Sequence, residues 1–233
     1  MITLSENLSF YKKDIALAHI HSLNVAFGGT VLAPEIWVQT EENEICSVLA
    51  RFGGRIYIYS DKKNLGEIKE FINLIGFSEI FCDKEVALEL DLKPKKEFSV
   101  LFLRAEQRQK QTEQVSLSAL YKGLKVGEDG DIVLPSFDEF APDVSHRLRH
   151  GGAAAIVNEK GSALAFLSPY GGIINGISVE NEKRGKGFGS SLLFELCELI
   201  GQDIFVCSGK KALEFYIKNG FSFLNNAVIA RRN

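Results

Sequence analysis

The chain has 233 residues, of which 45% are hydrophobic and 24% are charged, and its formal net charge is −3. This composition is typical of a globular protein with a sizeable core, arranged as one large domain or two small ones. The chain has no block of basic residues, which leaves a duplex nucleic-acid partner without electrostatic support.

The sequence also indicates a compartment. The opening stretch MITLSENLSFYKKDIALAH lacks the basic start and continuous apolar core of a signal peptide, and no later apolar run is long enough to span a bilayer. Four widely spaced cysteines without a C-x-x-C pair favour small buried hydrophobes over disulfides or a zinc site. We therefore expect a cytoplasmic protein without a membrane partner or a bound metal.

In the N-terminal half, strands and helices alternate, which favours an α/β protein. Residues 53–60 read as a buried strand, and residues 64–77 as a helix with apolar residues at helical spacing. These apolar positions are Leu65, Ile68, Phe71, Ile72 and Ile75.

A change of composition predicts the domain boundary. Residues 103–118 are polar and helix-prone, and they lead into residues 121–131, which are dense in glycine and charge. We place the boundary between about residues 105 and 130, which divides the chain into an N-terminal α/β domain, 1–115, and a C-terminal domain, 116–233.

The C-terminal half shows a regular series of elements. A helix is predicted from an N-cap at Ser136 to Gly151, followed by two strands around the turn Asn158-Glu159-Lys160-Gly161. The remaining predicted elements are a strand at 171–179, a glycine loop, a helix at 188–201, a strand at 203–208, a helix at 210–221 and one or two strands at 222–230.

Two pairs of segments resemble each other within the chain. Residues 56–63 parallel 204–211, and residues 71–78 parallel 215–222, with Ser-x-Lys-Lys and Gly-Phe-Ser matched. Either the chain contains a duplicated α/β half, or any strand–helix unit with a glycine after the helix looks this way. Both interpretations stay open at the level of sequence.

The glycine loop before residue 188 is compatible with three known chemistries. A Walker loop is excluded because no Gly-Lys-Ser/Thr occurs. A dinucleotide fold is disfavoured, because Ser190 replaces the last glycine of the motif and Asp203 opens the next strand instead of closing it. The third pattern, R-x-x-G-x-G, is met by Arg184, Gly187 and Gly189.

In that third pattern, a strand ends in a tight turn and several backbone N–H groups point at one place beside a helix N-terminus. Such a place binds a pyrophosphate, because the free amides and the helix dipole act together. Glycines let the backbone approach the phosphates, and Arg184 and Lys186 add positive charge. The loop is therefore predicted to bind an anion.

At these residues the sequence resembles the GNAT superfamily of acyl-CoA-dependent N-acetyltransferases. The resemblance lies in GISVENEKRGKGFGSSLL, at 176–193, and in ALEFYIKNGF, at 212–221, and extends over about residues 130–233. The second segment is similar to the family signature A-x-x-[LF]-Y-x-x-x-G-F. The resemblance implies a C-terminal mixed, mostly antiparallel sheet flanked by helices, preceded by a smaller α/β domain for which a degenerate duplicate is one interpretation.

The resemblance also implies a site for acetyl-CoA as cosubstrate. The backbone of Ile177, Ser178 and Val179 would face the pantetheine arm, and the N–H of Val179 would polarise the thioester carbonyl. Tyr216 would be the general acid beside the sulfur, and Glu180 is the candidate base. The implied pyrophosphate ligands are Arg184, Gly185, Lys186, Gly187, Phe188, Gly189 and Ser190.

Two departures from the family pattern bear on function. Gly209 stands where the family often has Asn, and the strand at 203–207 offers no carboxylate beyond its opening Asp203. The leading hypothesis is acetyl transfer to a primary amine of a small molecule or peptide by direct attack. The alternative is an acyl-CoA-binding regulatory protein without turnover. A third hypothesis gives the N-terminal half an assembly role, as a cover for the catalytic sheet or in a homodimer.

Other polar residues are candidate ligands. His146 and His150 lie one helical turn apart, which suits a metal pair, a solvated face or a face that lines the acceptor site. Asp138, Glu139 and Asp143 would either attract a cationic amine or form a solvated helix surface.

Overall fold

A computed structural model describes residues 1–5, 8–104, 115–127 and 134–231. The chain forms two compact units, one comprising Met1–Val100 with Leu224–Asn233, and the other Leu101–Phe223. Most of the polar stretch predicted at 103–118, and much of the predicted boundary region at 105–130, lie outside the described residues. The last strand of the chain belongs to the first unit, although the predicted domain 116–233 includes it.

The first unit is built on strands paired mainly side by side in chain order. Its elements are β1 (Ile2–Leu4), α1 (Ile15–Phe27), β2 (Glu35–Glu41), β3 (Glu44–Phe52), β4 (Arg55–Ser60), α2 (Leu65–Ile75), β5 (Glu79–Asp83), α3 (Lys84–Glu89) and β6 (Lys93–Leu103). β1 to β4 form antiparallel pairs, and β4 pairs in parallel with β5. The crossover that parallel pairing requires is supplied by α2.

The second unit repeats this plan. Its elements are α4 (Leu117–Lys125), α5 (Phe137–Arg149), β7 (Ala153–Asn158), β8 (Gly161–Ser168), β9 (Gly171–Ser178), α6 (Phe188–Ile200), β10 (Ile204–Ser208) and α7 (Lys210–Lys218). The strand that follows in the chain, β11 (Ser222–Arg231), belongs to the first unit from Leu224 onward. β7, β8 and β9 are antiparallel, and β9 pairs in parallel with β10 across α6. The predicted mixed, mostly antiparallel sheet is confirmed. β11 is one continuous strand, and its residues 227–230 pair with β5 of the first unit.

Local predictions in both units hold. The five apolar positions predicted for α2 pack into the core of the first unit, where Leu65, Ile68 and Ile72 are buried. α5 begins after Ser136, whose backbone N–H donates to the Glu139 carboxylate at 3.0 Å. α6 ends at Ile200, before Gly201 with a φ of 60°.

The order of elements repeats, but the paired sequence segments do not follow it. In each unit, three antiparallel strands lead through a helix to a parallel strand and then a second helix. By their position in this order, β4 and α2 of the first unit correspond to β9 and α6 of the second unit. The sequence similarity instead pairs β4 and α2 with β10 and α7, so it reflects a shared strand–helix pattern.

Candidate active site

The glycine loop joins β9 to α6 through a turn that only glycine adopts readily. A single 3₁₀ turn at Asn181–Lys183 follows Glu180, and Gly185 and Gly187 then have φ angles of 75° and 84°. These left-handed angles strain other residues, which explains the glycines. Arg184 holds the loop to the strand, because its Nε donates to the Val179 carbonyl at 3.1 Å.

The N-terminus of α6 is open to an anion. Gly187 occupies the N-cap and has no side chain, and the first turn, Phe188 to Ser191, contains no acidic residue. The first amides of a helix have no partner within the helix, so they are available to a ligand. Lys186 is exposed beside them and adds a positive charge.

Close packing fixes α7 against this turn. A Cβ atom added at Gly189 would lie 3.3 Å from the ring of Phe215 and 3.8 Å from the side chain of Val179. Glycine at this position therefore lets the first turn of α6 approach both α7 and the end of β9. The two segments that carry the family resemblance are in contact here.

The strands β9 and β10 pair over a short distance beside this turn. Their parallel register runs from Gly172–Ile204 to Ile174–Val206. Beyond it, β9 continues to Ser178 and β10 to Ser208, and the β8–β9 register shifts at the same point of β9. The predicted pantetheine-binding residues 177–179 thus lie past the part of β9 that pairs with β10, while Ile177 and Ser178 remain paired with β8.

Tyr216 lies in the core of the second unit with its ring held by aromatic neighbours. The residue is 7% exposed, and its ring meets Phe215 and Phe221 edge-on at centroid distances of 5.1 and 5.4 Å. Burial raises the pKa of Tyr216 well above its ordinary value, and Cys197 adds to the effect. With its pKa raised, the hydroxyl is protonated at neutral pH.

Other predicted groups are already engaged or exposed. Glu180 forms an ion pair with Lys183 at 2.9 Å, and its side chain is 61% exposed. Gly209 is the N-cap of α7. The Oγ of Ser178 is buried and has no hydrogen-bond partner in the described part of the chain. No sequence signal pointed to this orphan hydroxyl, because serine is common in strands that end at loops.

The candidate ligands on α5 are used within the helix. Glu139 binds Ser136, and Asp143 forms an ion pair with Arg147 at 2.9 Å. The ring centroids of His146 and His150 lie 4.3 Å apart, with the ring planes tilted by 37°. Among the described residues, no group of three or more His, Cys, Asp or Glu side chains is arranged to hold a metal ion. Within those same ranges, no helix has the length and apolar character needed to cross a membrane.

Comparison with solved structures identifies the fold. A GCN5-related N-acetyltransferase from Sphaerobacter thermophilus matches with a TM-score of 0.56 and 16% identity, covering 93% of this chain and 91% of that chain. One from Kribbella flavida matches with a TM-score of 0.54 and 11% identity, covering 80% of this chain and 87% of that chain. No family model and no curated protein sequence matches the chain. The chain has the fold of the GNAT acetyltransferases.

Proposed function

We propose that the protein is an N-acetyltransferase that moves an acetyl group from acetyl-CoA to a primary amine of a small molecule or peptide in the cytoplasm. The observation that carries this proposal is the open N-terminus of α6, which lies beside the end of β9 where its pairing with β10 has ended. A pyrophosphate fits there because the first turn has no acidic side chain and Lys186 is exposed next to it.

The residues would divide the work as follows. Acetyl-CoA, when bound, supplies the acetyl group as a thioester. Residues Arg184 to Ser190 hold its phosphates with backbone amides and positive charge, and residues 177–179 present backbone groups to the pantetheine arm, with the Val179 N–H directed to the thioester carbonyl. Glu180, the candidate base, takes the proton that the amine loses on attack, and Tyr216, which keeps its proton at neutral pH, gives it to the departing sulfur as the carbon–sulfur bond breaks.

A ligand-binding experiment tests the cofactor part of this proposal. At about 100 times its dissociation constant, acetyl-CoA should stabilise the protein by about 2.7 kcal/mol, which corresponds to roughly 5–10 °C in the melting temperature of a chain of this size. Adenosine, which lacks the phosphates, serves as the control. A melting curve that millimolar acetyl-CoA leaves unchanged would contradict the proposal.

Acyl-CoA binding without turnover is the second candidate function, and one observation favours it. Glu180, the proposed base, is exposed and paired with Lys183, and β10, Ile204–Ser208, carries no carboxylate. Release of CoA thiol, measured with a panel of primary amines, separates the two functions. Stabilisation by acetyl-CoA together with thiol release no faster than without protein would support the binding function.

A further inference from the structure

The register of β9 contains one extra residue at Asn175. Ile174 pairs with Ala165 of β8, and Gly176 pairs with the next residue of β8, Leu164. Asn175 therefore has no opposite residue, which is the definition of a β-bulge.

The bulge exchanges the two faces of β9. A Cβ atom added at Gly172 would contact Ile200 of α6, whereas one added at Gly176 would contact Leu124 of α4. Residues four apart in a regular strand lie on the same face, because side chains alternate with a period of two. After Asn175, each side chain of β9 therefore points to the face opposite to the one that a regular strand would give it.

This exchange sets the orientation of the predicted cofactor-binding residues. Past the bulge, Ser178 lies against Gly127 at the end of α4, and Val179 lies against Gly189 in the first turn of α6. A regular strand would place these two side chains on the opposite faces. The approach of β9 to the anion-binding turn consequently depends on the bulge.

The Asn175 side chain closes the bulge with a hydrogen bond. Its Nδ2 donates to the carbonyl oxygen of Ile173 at 3.1 Å. The N–H of Gly172 donates to the Asp203 carbonyl, on the β10 side. Because backbone groups alternate along a strand, the Ile173 carbonyl points toward β8, where Ile173 is still paired with Phe166. The side-chain amide thus adds a hydrogen bond that ties the bulged residue back to the regular part of the strand.

We propose that Asn175 is a positioning residue for cofactor binding. By closing the bulge, it fixes the direction of residues 177–179 and the separation of β9 from β10, where the pantetheine arm would lie. This inference rests on the proposed function. It predicts that Asn175 acts on the pantetheine arm and leaves the phosphates, which bind at α6, unaffected.

The test compares two ligands by calorimetry on the full chain, namely CoA and 3′-phosphoadenosine 5′-diphosphate, which has the same phosphates but no pantetheine arm. Asn175→Asp keeps the size of the side chain but removes the donor and faces the carbonyl with an acceptor. We expect it to weaken CoA binding about tenfold and to change binding of the fragment less than twofold. Asn175→Ala, which introduces no charge, replaces it should Asn175→Asp not fold.

The matched control is Asn219→Asp, because the Asn219 side chain also donates to a backbone carbonyl, that of Phe215, at 2.7 Å. It should leave the ratio of the two affinities unchanged. Equal weakening of both ligands by Asn175→Asp, no weakening of CoA binding, or the same altered ratio in Asn219→Asp would overturn the assignment. A wild-type protein that binds neither ligand would overturn the proposed function itself.

Discussion

The two crossover helices α2 and α6 begin with a similar pattern but differ at the N-cap and at the third helical residue. Their N-cap and first three residues are Asn64-Leu65-Gly66-Glu67 and Gly187-Phe188-Gly189-Ser190. Each has a large apolar residue followed by glycine, and the third helical residue is an acid in α2 and a serine in α6. At the third helical residue, the first unit thus carries a carboxylate, whereas the second unit carries a hydroxyl and leaves the amides of the first turn open to an anion.

In the first unit, that carboxylate is held by its surroundings. Glu67 accepts hydrogen bonds from the Gln39 side chain at 2.8 Å and from the Ile2 N–H at 3.1 Å. These bonds, led by that of Gln39, lower the pKa of Glu67 below its ordinary value. The β3–β4 register is also continuous, without the bulge that β9 contains. One order of elements is therefore compatible with a first helical turn that carries a carboxylate and with one that carries none.

The largest expected effect comes from making α6 resemble α2. Ser190→Glu should weaken acetyl-CoA binding at least about 100-fold, because like charges ~4 Å apart near a protein surface repel by about 4 kcal/mol. The melting temperature without ligand should stay the same or rise slightly, since an acid in the first turn stabilises a helix. Calorimetry and thermal melts measure both quantities.

The control for that change is Ser118→Glu, which places the same residue at an exposed position in the first turn of α4. It should leave acetyl-CoA affinity within twofold of the wild type. Unchanged affinity in folded Ser190→Glu would show that the phosphates do not bind at α6.

Tyr216→Phe tests whether the second unit is an enzyme as well as a binding unit. Removing the proton donor should lower kcat by about 100-fold with the best amine of the panel, while acetyl-CoA affinity and melting temperature stay nearly constant. Tyr121→Phe is the matched control, because the Tyr121 hydroxyl donates to the Pro135 carbonyl at 3.0 Å and has a structural role. It should lower stability with near-normal turnover. Full activity in stable Tyr216→Phe would remove this residue from the mechanism.

A smaller effect is expected from the charge beside the loop. Lys186→Gln should weaken acetyl-CoA binding about 5- to 10-fold, the loss of an exposed charge contact worth about 1 kcal/mol, and reduce its salt dependence. Lys218→Gln, at the exposed end of α7, should change neither. Equal effects of both substitutions would indicate general attraction rather than a contact. Substitution of Gly187 is less informative, because its φ of 84° would strain any side chain.

The smallest effect is expected from the reverse substitution in the first unit, which replaces the acid of α2 with the serine found in α6. Glu67→Ser should lower the free energy of unfolding by about 1 kcal/mol through lost hydrogen bonds, and lower the melting temperature by about 2–4 °C. Because the pKa of Glu67 is lowered on folding, its contribution is present above the ordinary carboxyl pKa and lost as the pH falls below it. The difference between variant and wild type should therefore shrink in acid.

Calorimetry on Glu67→Ser extends the comparison. The stoichiometry of acetyl-CoA should remain one per chain, since the loop before α2 has none of the glycines that shape the loop before α6. A second bound acetyl-CoA would show that Glu67 alone prevents the first unit from binding this ligand.

The sequence predicted the elements whose local signals are strong. α6 is bounded by glycines, and the β7–β8 turn has glycine at its last position, so both were located correctly. α1 was not identified, because nearly all of its residues are buried and a helix without a polar face shows no periodic pattern. β11 was predicted as a closing strand, but its pairing with β5 depends on residues far away in the chain.

The residues of the candidate site also differ in whether a local sequence signal predicts them. The loop residues 184–190 follow a local motif and were identified from sequence. Asn175 was missed because a bulge is a property of two strands.

The position of β11 in the chain has a consequence for biosynthesis. During translation, β2 to β5 leave the ribosome long before residues 227–230, which pair with β5. The β5 edge must wait for these residues, and an unpaired strand edge is prone to join other chains. We expect the nascent protein to need protection at this edge, and release of the C-terminal segment to be the step that commits the first unit to its folded state.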